Sequence, residues 1–461
     1  PVLARTFEFT VETIWFDKFA LKIRRTDKNQ GWSKVLKILW RASAPAEYKC
    51  SLRGALQMQS RLRENWTLRV VLQTMNANVT GSAIDIYRNV TIETDPRMGV
   101  VDLAILSLIS QTHGSSLGDS GLPASANVSG VPTAAAHLAT TTTPARATIG
   151  GAGLTVEGMF RIIGGHVLAR RVYIEGGRSG RGGAFYVQSG SLELEEVVMK
   201  DNHALQGGAI YLEDGGLCSL KVNLTSFVNN SASTEMWDGV ASGGAIYLGA
   251  GNIAVVRDAI FMRNFAQAFR ATAAGGAIDV WGTLSAVGSV FDSNSAVGPT
   301  VPDSTIGGFS LTTSLGAGDG ATGTVATGSV MSSPTGTGNG GAFLCRGARG
   351  GDVAGGCTLS ILRCDISRNS ATSSGGAIYS LGDLVVRDST GWNNTARMGP
   401  SARVGMAGAF TFTNTPFLRE DTLLYPDSAE LTHATSSISD DGRGWPIMST
   451  GDEKPGILSD Y

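Results

Sequence analysis

The sequence predicts an all-β fold: a right-handed parallel β-helix with a short N-terminal cap helix and long inserted loops. Three observations support this prediction. A Gly-Gly-Ala motif followed by Ile or Phe recurs along the chain, a motif of an apolar residue, two variable residues and Asn alternates with it, and the residues between them alternate in polarity. Such units bury their apolar faces only by stacking, so we place a solenoid from roughly Ala147 to Phe410.

The glycine motif is interpreted as one corner of each unit. Paired glycines permit positive φ and close backbone approach, and a Cβ there would meet the rungs above and below. The Ala and the Ile or Phe that follow are expected to point inward and to stack on their counterparts. The pairs are Gly182 and Gly183, Gly207 and Gly208, Gly243 and Gly244, Gly275 and Gly276, Gly340 and Gly341, and Gly375 and Gly376.

The asparagine motif is interpreted as a second corner. Asn tolerates the left-handed conformation and can bond to neighbouring backbone, so a column of Asn side chains would satisfy the polar groups there. The predicted column is Asn202, Asn230, Asn264, Asn294, Asn369 and Asn394. The spacing from each Asn to the next glycine pair varies and is longest after Asn294, so insertions are expected to decorate one edge of the rod.

Five segments follow from this pattern. A short amphipathic helix with Leu52, Leu56 and Met58 on one side is expected to cover the open end of the apolar column. The predicted segments are residues 1–46 of unclear fold, 47–110 with the cap helix and first rungs, 111–147 as a Ser/Thr/Ala loop, 148–413 as the β-helix with a loop insertion at 298–339, and 414–461 as a polar tail.

Composition agrees with many tight turns, since glycine supplies 61 of 461 residues and charged residues are 16% of the chain. The formal net charge of −2 gives no reason to expect a nucleic-acid partner. The longest apolar run, Val100 to Ile109, contains Asp102 and is too short to cross a bilayer, so we predict no transmembrane span in this segment. The start at Pro1 has no signal-peptide pattern and indicates a fragment or a processed form.

The cysteines are too few and too scattered for a disulfide-dense scaffold or a zinc site. Cys345 and Cys357 bracket a glycine loop, so either a disulfide closing that loop or buried free thiols is consistent with the sequence. Acceptor sequences for N-glycosylation are weak evidence for a secreted eukaryotic protein and occur at Asn65, Asn78, Asn89, Asn127, Asn223, Asn229 and Asn393.

Together the two motifs resemble the repeats of the polymorphic outer-membrane proteins, the Pmp family known from chlamydiae. The resemblance implies a β-helical protein at the cell surface that is used in adhesion. We therefore expect a non-enzymatic extracellular or cell-surface protein, in the outer membrane or cell envelope if it is bacterial, that binds a host or neighbouring cell-surface protein or a glycan. The long Thr/Gly/Ala loops depart from the bacterial pattern and leave a eukaryotic microbe open.

The alternative is a polysaccharide lyase or glycoside hydrolase of the pectin-lyase-like β-helix class. Asp440 and Asp441 lie outside the repeats without companion motifs. Asp258 and Asp388 are expected at equivalent places on the rod as solvated charges paired with Arg257 and Arg387, and intervening rungs place Leu224 and Gly288 there.

No catalytic residue, metal site or cofactor is predicted. The small acidic group of Glu193, Glu195 and Glu196 is expected to be solvated. The histidines are dispersed and never adopt ligand spacing; they are His113, His137, His166, His203 and His433.

Overall fold

The computed structural model has the predicted right-handed parallel β-helix. It describes residues 8–10, 35–40, 52–57, 67–72, 76–80, 82–94, 147–152, 154–235, 239–269, 271–299, 337–347, 356–405, 409–415, 418, 422–425 and 437–438. Nearly all of these residues belong to strands or to the turns between them, and successive rungs pair in parallel. Each rung passes in order through a first sheet, a second sheet, a side lobe and a third sheet.

The first sheet carries the alternating strands predicted from sequence, with Leu192 and Leu194 of one strand buried and Ser191 and Glu193 facing outward. Its strands, in spatial order, are β1 (Glu8–Thr10), β2 (Val35–Trp40), β3 (Thr67–Leu72), β6 (Val90–Thr94), β10 (His166–Arg170), β14 (Ser191–Glu195), β18 (Ser219–Asn223), β23 (Ile253–Arg257), β28 (Thr283–Val287), β33 (Thr358–Leu362), β37 (Asp383–Arg387), β39 (Phe410–Thr413) and β41 (Ser437–Ile438).

The second sheet follows the first after a short turn and leads to the asparagine corner. Its strands are β4 (Asn76–Thr80), β7 (Ala147–Ala152), β11 (Val172–Glu175), β15 (Val198–Lys200), β19 (Ser226–Val228), β24 (Ile260–Met262), β29 (Val290–Asp292) and β34 (Asp365–Ser367). The third sheet follows the glycine pairs and consists of β5 (Ile84–Ile86), β9 (Phe160–Ile162), β13 (Phe185–Val187), β17 (Ile210–Leu212), β22 (Ile246–Leu248), β27 (Ile278–Val280), β32 (Phe343–Cys345), β36 (Ile378–Ser380), β38 (Ala402–Gly405) and β40 (Thr422–Tyr425).

The side lobe lies between the asparagine and glycine corners and has two layers of short strands. The outgoing layer is β8 (Leu154–Glu157), β12 (Arg178–Arg181), β16 (His203–Ala204), β20 (Ser231–Thr234), β25 (Phe265–Ala268), β30 (Ser295–Val297) and β35 (Ser370–Ala371), and the returning layer is β21 (Ala241–Ser242), β26 (Ala273–Ala274) and β31 (Gly338–Asn339). A separate apolar cluster of alanines, among them Ala232, Ala266 and Ala273, packs in the lobe. Side chains this small allow its two layers to lie close together.

The core of the rod is a continuous column of buried apolar side chains from all three sheets. Phe227, Phe261 and Phe291 stack in register along the second sheet, with ring centroids 4.5 and 4.7 Å apart. Phe343 of the third sheet meets Phe291 at 4.3 Å, so the two sheets interlock inside the rod. Buried aromatic pairs of this kind contribute roughly 0.5–1.5 kcal/mol each beyond the burial of their area.

One helix is present among the described residues, α1 (Leu52–Gln57). Its Leu52 and Leu56 belong to the buried core, and the helix contacts β3, β4 and β5. Because the first sheet continues past it through β2 and β1, the helix does not cover the end of every sheet. Its role as a cap stays a prediction, and Met58 lies outside the described residues.

Strands occur in both terminal segments as well. β1 and β2 extend the first sheet into residues 1–46, for which the sequence predicted no fold. β40 and β41 extend the third and first sheets into residues 414–461, which we predicted to be a polar tail. β2 and β40 are short apolar runs without the glycine or asparagine motif, so the repeat pattern did not reveal them. The remaining segment boundaries stay predictions.

Candidate functional site

The asparagine corner is a ladder of side-chain hydrogen bonds. Asn264 Nδ2 donates to the carbonyl of Phe227 and to Oδ1 of Asn294, both at 3.0 Å, and Asn264 N donates to the same Oδ1 at 3.0 Å. The same pattern repeats from Asn202 to Asn394, with Nδ2 to Oδ1 distances of 3.0 to 3.1 Å. Each amide therefore uses its donors and its acceptor inside the rod, where unpaired polar groups are costly.

The ladder asparagines do not use the left-handed conformation that Asn tolerates. Positive φ occurs one residue earlier, at 52° for Asp201, 55° for Asn229, 54° for Arg263, 56° for Ser293 and 56° for Arg368. The residue before each Asn makes the turn, which leaves the Asn itself free to point inward and bond along the column. Asn229 is exposed at such a turn.

The two glycines of each pair have different roles. The first has positive φ, for example 64° at Gly243 and 59° at Gly275. The second lies against neighbouring backbone: a Cβ on Gly244 would be 2.1 Å from the carbonyl oxygen of Gly276 and 2.6 Å from the nitrogen of Phe265. Phe265 follows the ladder Asn264 and begins the lobe of the next rung. The second glycine therefore brings the chain, where it leaves one lobe, against the start of the next lobe; this contact is called the neck of the lobe.

Cys345 and Cys357 form a disulfide with a Cα–Cα distance of 5.7 Å. Among the described cysteines Cys218 and Cys364 are free and buried, and Cys50 lies outside the described residues. Burial raises the pKa of the Cys218 thiol to about 11 and that of Cys364 to about 12. Both thiols are therefore protonated and unreactive near neutral pH.

Asp258 and Asp388 occupy equivalent positions in the turn between the first and second sheets, and both have a φ of 48°. The same column contains Leu224, Gly288 and also Arg363, which the sequence reasoning overlooked. No ion pair among the described residues joins Asp258 to Arg257 or Asp388 to Arg387, so that expected pairing is wrong. Asp388 instead accepts a hydrogen bond of 3.0 Å from Asn414 Nδ2.

The other acidic and basic candidates are largely paired or lie elsewhere. Glu193 is 3.3 Å from His166 and Glu195 accepts from Arg170, so part of the predicted solvated acidic group is engaged across strands. Burial, followed by repulsion from Arg178, lowers the pKa of His203. Asp440, Asp441, His113, His137 and His433 lie outside the described residues. Within the described part of the chain, no three His, Cys, Asp or Glu side chains are grouped to hold a metal ion.

A band of polar and aromatic side chains lies between the side lobe and the outer face of the third sheet and is here called the lobe groove; it is largely buried, with Tyr186, Tyr211 and Tyr247 only 3–4% exposed. Its floor is the outward column of the third sheet, which register places in the order Tyr186, Tyr211, Tyr247, Asp279, Leu344, Tyr379 and Arg403. One wall is the row of residues that immediately precede the glycine pairs, with Arg181, Gln206, Ser242, Ala274, Asn339 and Ser374 in register. The sequence pattern identified these strands but not their outward-facing column. A Tyr that directly follows a buried Ile is easily taken for a core residue.

Arginine side chains pack against aromatic rings along the lobe groove. Tyr211 and Tyr247 stack with centroids 4.7 Å apart and planes 6° apart. The guanidinium of Arg181 lies 5.4 Å from the Tyr211 ring, and that of Arg346 lies 4.8 Å from the Trp281 ring. These separations are typical of cation–π contacts.

The carboxylates of the groove are engaged by these neighbours. Glu213 accepts from Tyr186 Oη and lies 3.2 Å from Arg181, and Asp214 accepts from Ala250 N at 2.9 Å. Burial and then Glu213 raise the pKa of Tyr186, so this phenol stays protonated as a donor. A general acid or base needs a carboxyl group that can reach a substrate proton, and these groups are already hydrogen-bonded within the groove.

Asp279 and Arg346 form the most buried ion pair of the groove. The Asp279 side chain is 0% exposed, and Arg346 Nε and Nη2 donate to its two oxygens at 3.0 and 2.9 Å. Burial lowers the pKa of Arg346, but attraction to Asp279 outweighs it and the net pKa is raised. Arg346 Nη2 also lies 3.4 Å from Ser242 Oγ, so one side chain connects the third sheet to the lobe.

Replacing Arg346 with Met is expected to lower the free energy of unfolding by about 3–5 kcal/mol, because Asp279 would remain as an uncompensated buried charge. The double variant Asp279→Leu with Arg346→Met should recover most of that loss, since no buried charge would be left. Urea denaturation at pH 7 measures both, with Arg257→Met on the exposed first sheet as the control. Equal stabilities for Arg346→Met and Arg257→Met would contradict this role.

One of the comparisons with known proteins supports the repeat. The chain matches the model of the Chlamydia polymorphic membrane protein repeat over residues 363–381. This stretch contains β34, the ladder Asn369, the pair Gly375 and Gly376, and β36, so it spans both corners of one rung. The match confirms the resemblance to Pmp repeats, and a repeat of this family suggests a surface-associated, non-enzymatic protein.

Neither the curated proteins nor the solved structures include a match to the chain. No helix among the described residues has the length and apolar character needed to span a membrane.

Proposed function

We propose, on the basis of this Pmp repeat, that the protein is a non-enzymatic extracellular or cell-surface repeat protein that binds a host or neighbouring surface protein or a glycan. Binding would use the long side of the rod and the loops that extend from the lobe. The observation that carries the proposal is the unequal distribution of variation: the core rungs keep one register, whereas the segments in the lobe differ widely in length.

In a scaffold of this kind, the residues that make the rod rigid are different from the residues that bind a partner. The asparagine ladder and the stacked phenylalanines fix the rod, and loops placed on a rigid scaffold can vary without disturbing it. Gly298 and Thr337 show how the longest insertion is accommodated. A Cβ on Gly298 would lie 2.5 Å from the carbonyl carbon of Thr337, so the chain leaves and rejoins the lobe at one point.

The test is a binding and turnover screen of the purified chain on a glycan array that includes acidic polysaccharides, and on intact cells, with and without calcium. Retention without new reducing ends or unsaturated products supports the proposal. Calcium-dependent cleavage would instead support the alternative, a polysaccharide lyase or hydrolase. Absence of retention on glycans and on cells alike would refute the proposal.

A loop-replacement variant locates the binding surface. Residues 300–336 are replaced by a short Gly-Ser linker, which the adjacent ends at Gly298 and Thr337 permit. We expect unchanged thermal stability and weaker binding. Arg181→Ala, on the rim of the lobe groove, is the matched variant that leaves the loop intact. If neither variant changes binding, neither the loop nor the rim is part of the contact surface.

A further inference from the structure

The corner between the second sheet and the lobe carries an exposed tryptophan. Trp392 is 48% exposed and lies in register with Ser367 of β34, on the outer face of the second sheet. Its carbonyl accepts a hydrogen bond of 2.9 Å from Arg368 N, so the backbone beneath the indole is fixed. A large aromatic surface left open to water costs hydrophobic free energy unless a ligand covers it.

An arginine is held beside this indole in a defined orientation. The Arg368 guanidinium lies 5.1 Å from the Trp392 ring. Arg368 Nε and Nη2 donate to the two oxygens of Asp292 at 2.7 and 2.6 Å, and Asp292 is almost fully buried. A bidentate pair fixes the plane of the guanidinium, so little further ordering is needed when another group binds to it.

The surroundings of Trp392 are polar. Ser367 donates to Asp365, Thr390 is half-buried, and the neighbouring Asn393 is exposed. A protein partner usually needs a broad interface with an apolar centre, whereas here a single ring lies among hydroxyl, carboxylate and amide groups. One amphipathic ligand ring fits this combination better, with its C–H face on the indole and its hydroxyl groups on the polar neighbours.

We propose that Trp392 and Arg368 form a subsite for one pyranose ring of a glycan, at a corner of the rod distinct from the lobe groove. The C–H face of the sugar packs on the indole, the guanidinium held by Asp292 donates to ring hydroxyls, and Asp365 accepts from them. This inference deepens the proposed function and rests on it, because it names a glycan among the ligands and gives it a place.

The experiment measures binding of the whole chain to the oligosaccharides that it retains on a glycan array, by isothermal titration calorimetry. Trp392→Ala is expected to weaken binding by about tenfold or more, and Arg368→Lys, which keeps the charge but loses the bidentate pairing, by a smaller factor. Phe269→Ala is the matched control, because Phe269 is also an exposed aromatic, at 54%, but lies in the lobe. Circular dichroism and thermal melts establish that each variant is folded.

A readout independent of affinity accompanies this measurement. Addition of the oligosaccharide should shift the indole N–H resonance that disappears in Trp392→Phe. Unchanged glycan affinity in Trp392→Ala, with wild-type binding intact, would overturn the subsite and leave the proposed function standing. Binding of a surface protein through Trp392 with no glycan retained would also overturn it. Failure to bind glycans, proteins or cells would refute both proposals together.

Discussion

Gly244→Ala is expected to destabilise the rod by about 4 kcal/mol or more, enough to leave much of the protein insoluble or unfolded. The new Cβ would lie 2.1 Å from the Gly276 carbonyl oxygen and 2.6 Å from the Phe265 nitrogen. Both are backbone atoms of the next rung, so no side-chain rotation relieves the clash. The rungs would have to separate, which would break the parallel pairing of β22 with β27.

Gly215→Ala is the matched control for this prediction. Gly215 also lies in a turn, with a φ of 69°, but a Cβ there would meet nothing within 4 Å. Its cost is limited to the left-handed conformation, about 1 kcal/mol for a non-glycine residue. Thermal melts and urea titrations of both variants separate the clash from the backbone strain. Similar unfolding free energies for the two variants would show that the rungs can separate at the neck of the lobe without loss of stability.

These two glycines show what the sequence could and could not predict. The recurrence of paired glycines and of Asn indicated a stacked solenoid, because the same residue must recur wherever rungs meet. The different roles of the two glycines, and the left-handed residue before each Asn, are invisible in a repeat pattern. The left-handed position is occupied by Asp201, Arg263 and Ser293 among others, and so has no single residue type to reveal it.

The side-chain contacts outside the repeat core were predicted even less well. The lobe groove depends on contacts between distant segments, such as Arg346 with Asp279 and Ser242, which are 67 and 104 residues away in sequence. Trp392 lies in a weak copy of the asparagine motif, Gly391 to Asn394. The sequence shows that this copy departs from the consensus, but it does not show that the Trp392 ring is exposed. Repeats predict what is common to the rungs, whereas recognition depends on the positions where rungs differ.

Asn264→Leu is expected to lower the free energy of unfolding by about 3–6 kcal/mol, because it breaks the ladder at its centre. Asn264 Oδ1 accepts from Asn230 N and Asn230 Nδ2 at 3.0 Å, and its own Nδ2 donates to the Phe227 carbonyl at 3.0 Å. Leu retains the volume but supplies none of these bonds. Each buried group left without its partner costs about 1–3 kcal/mol.

The matched control is Asn223→Leu, which makes the same change at the exposed end of β18. It should alter stability by only about 0.5 kcal/mol. Amide hydrogen exchange distinguishes a local from a global effect: faster exchange confined to the rungs of Asn230, Asn264 and Asn294 is expected, since each rung depends chiefly on its neighbours. Equal unfolding free energies for the two variants would show that the rod is held by its phenylalanine column, with the amide ladder adding nothing.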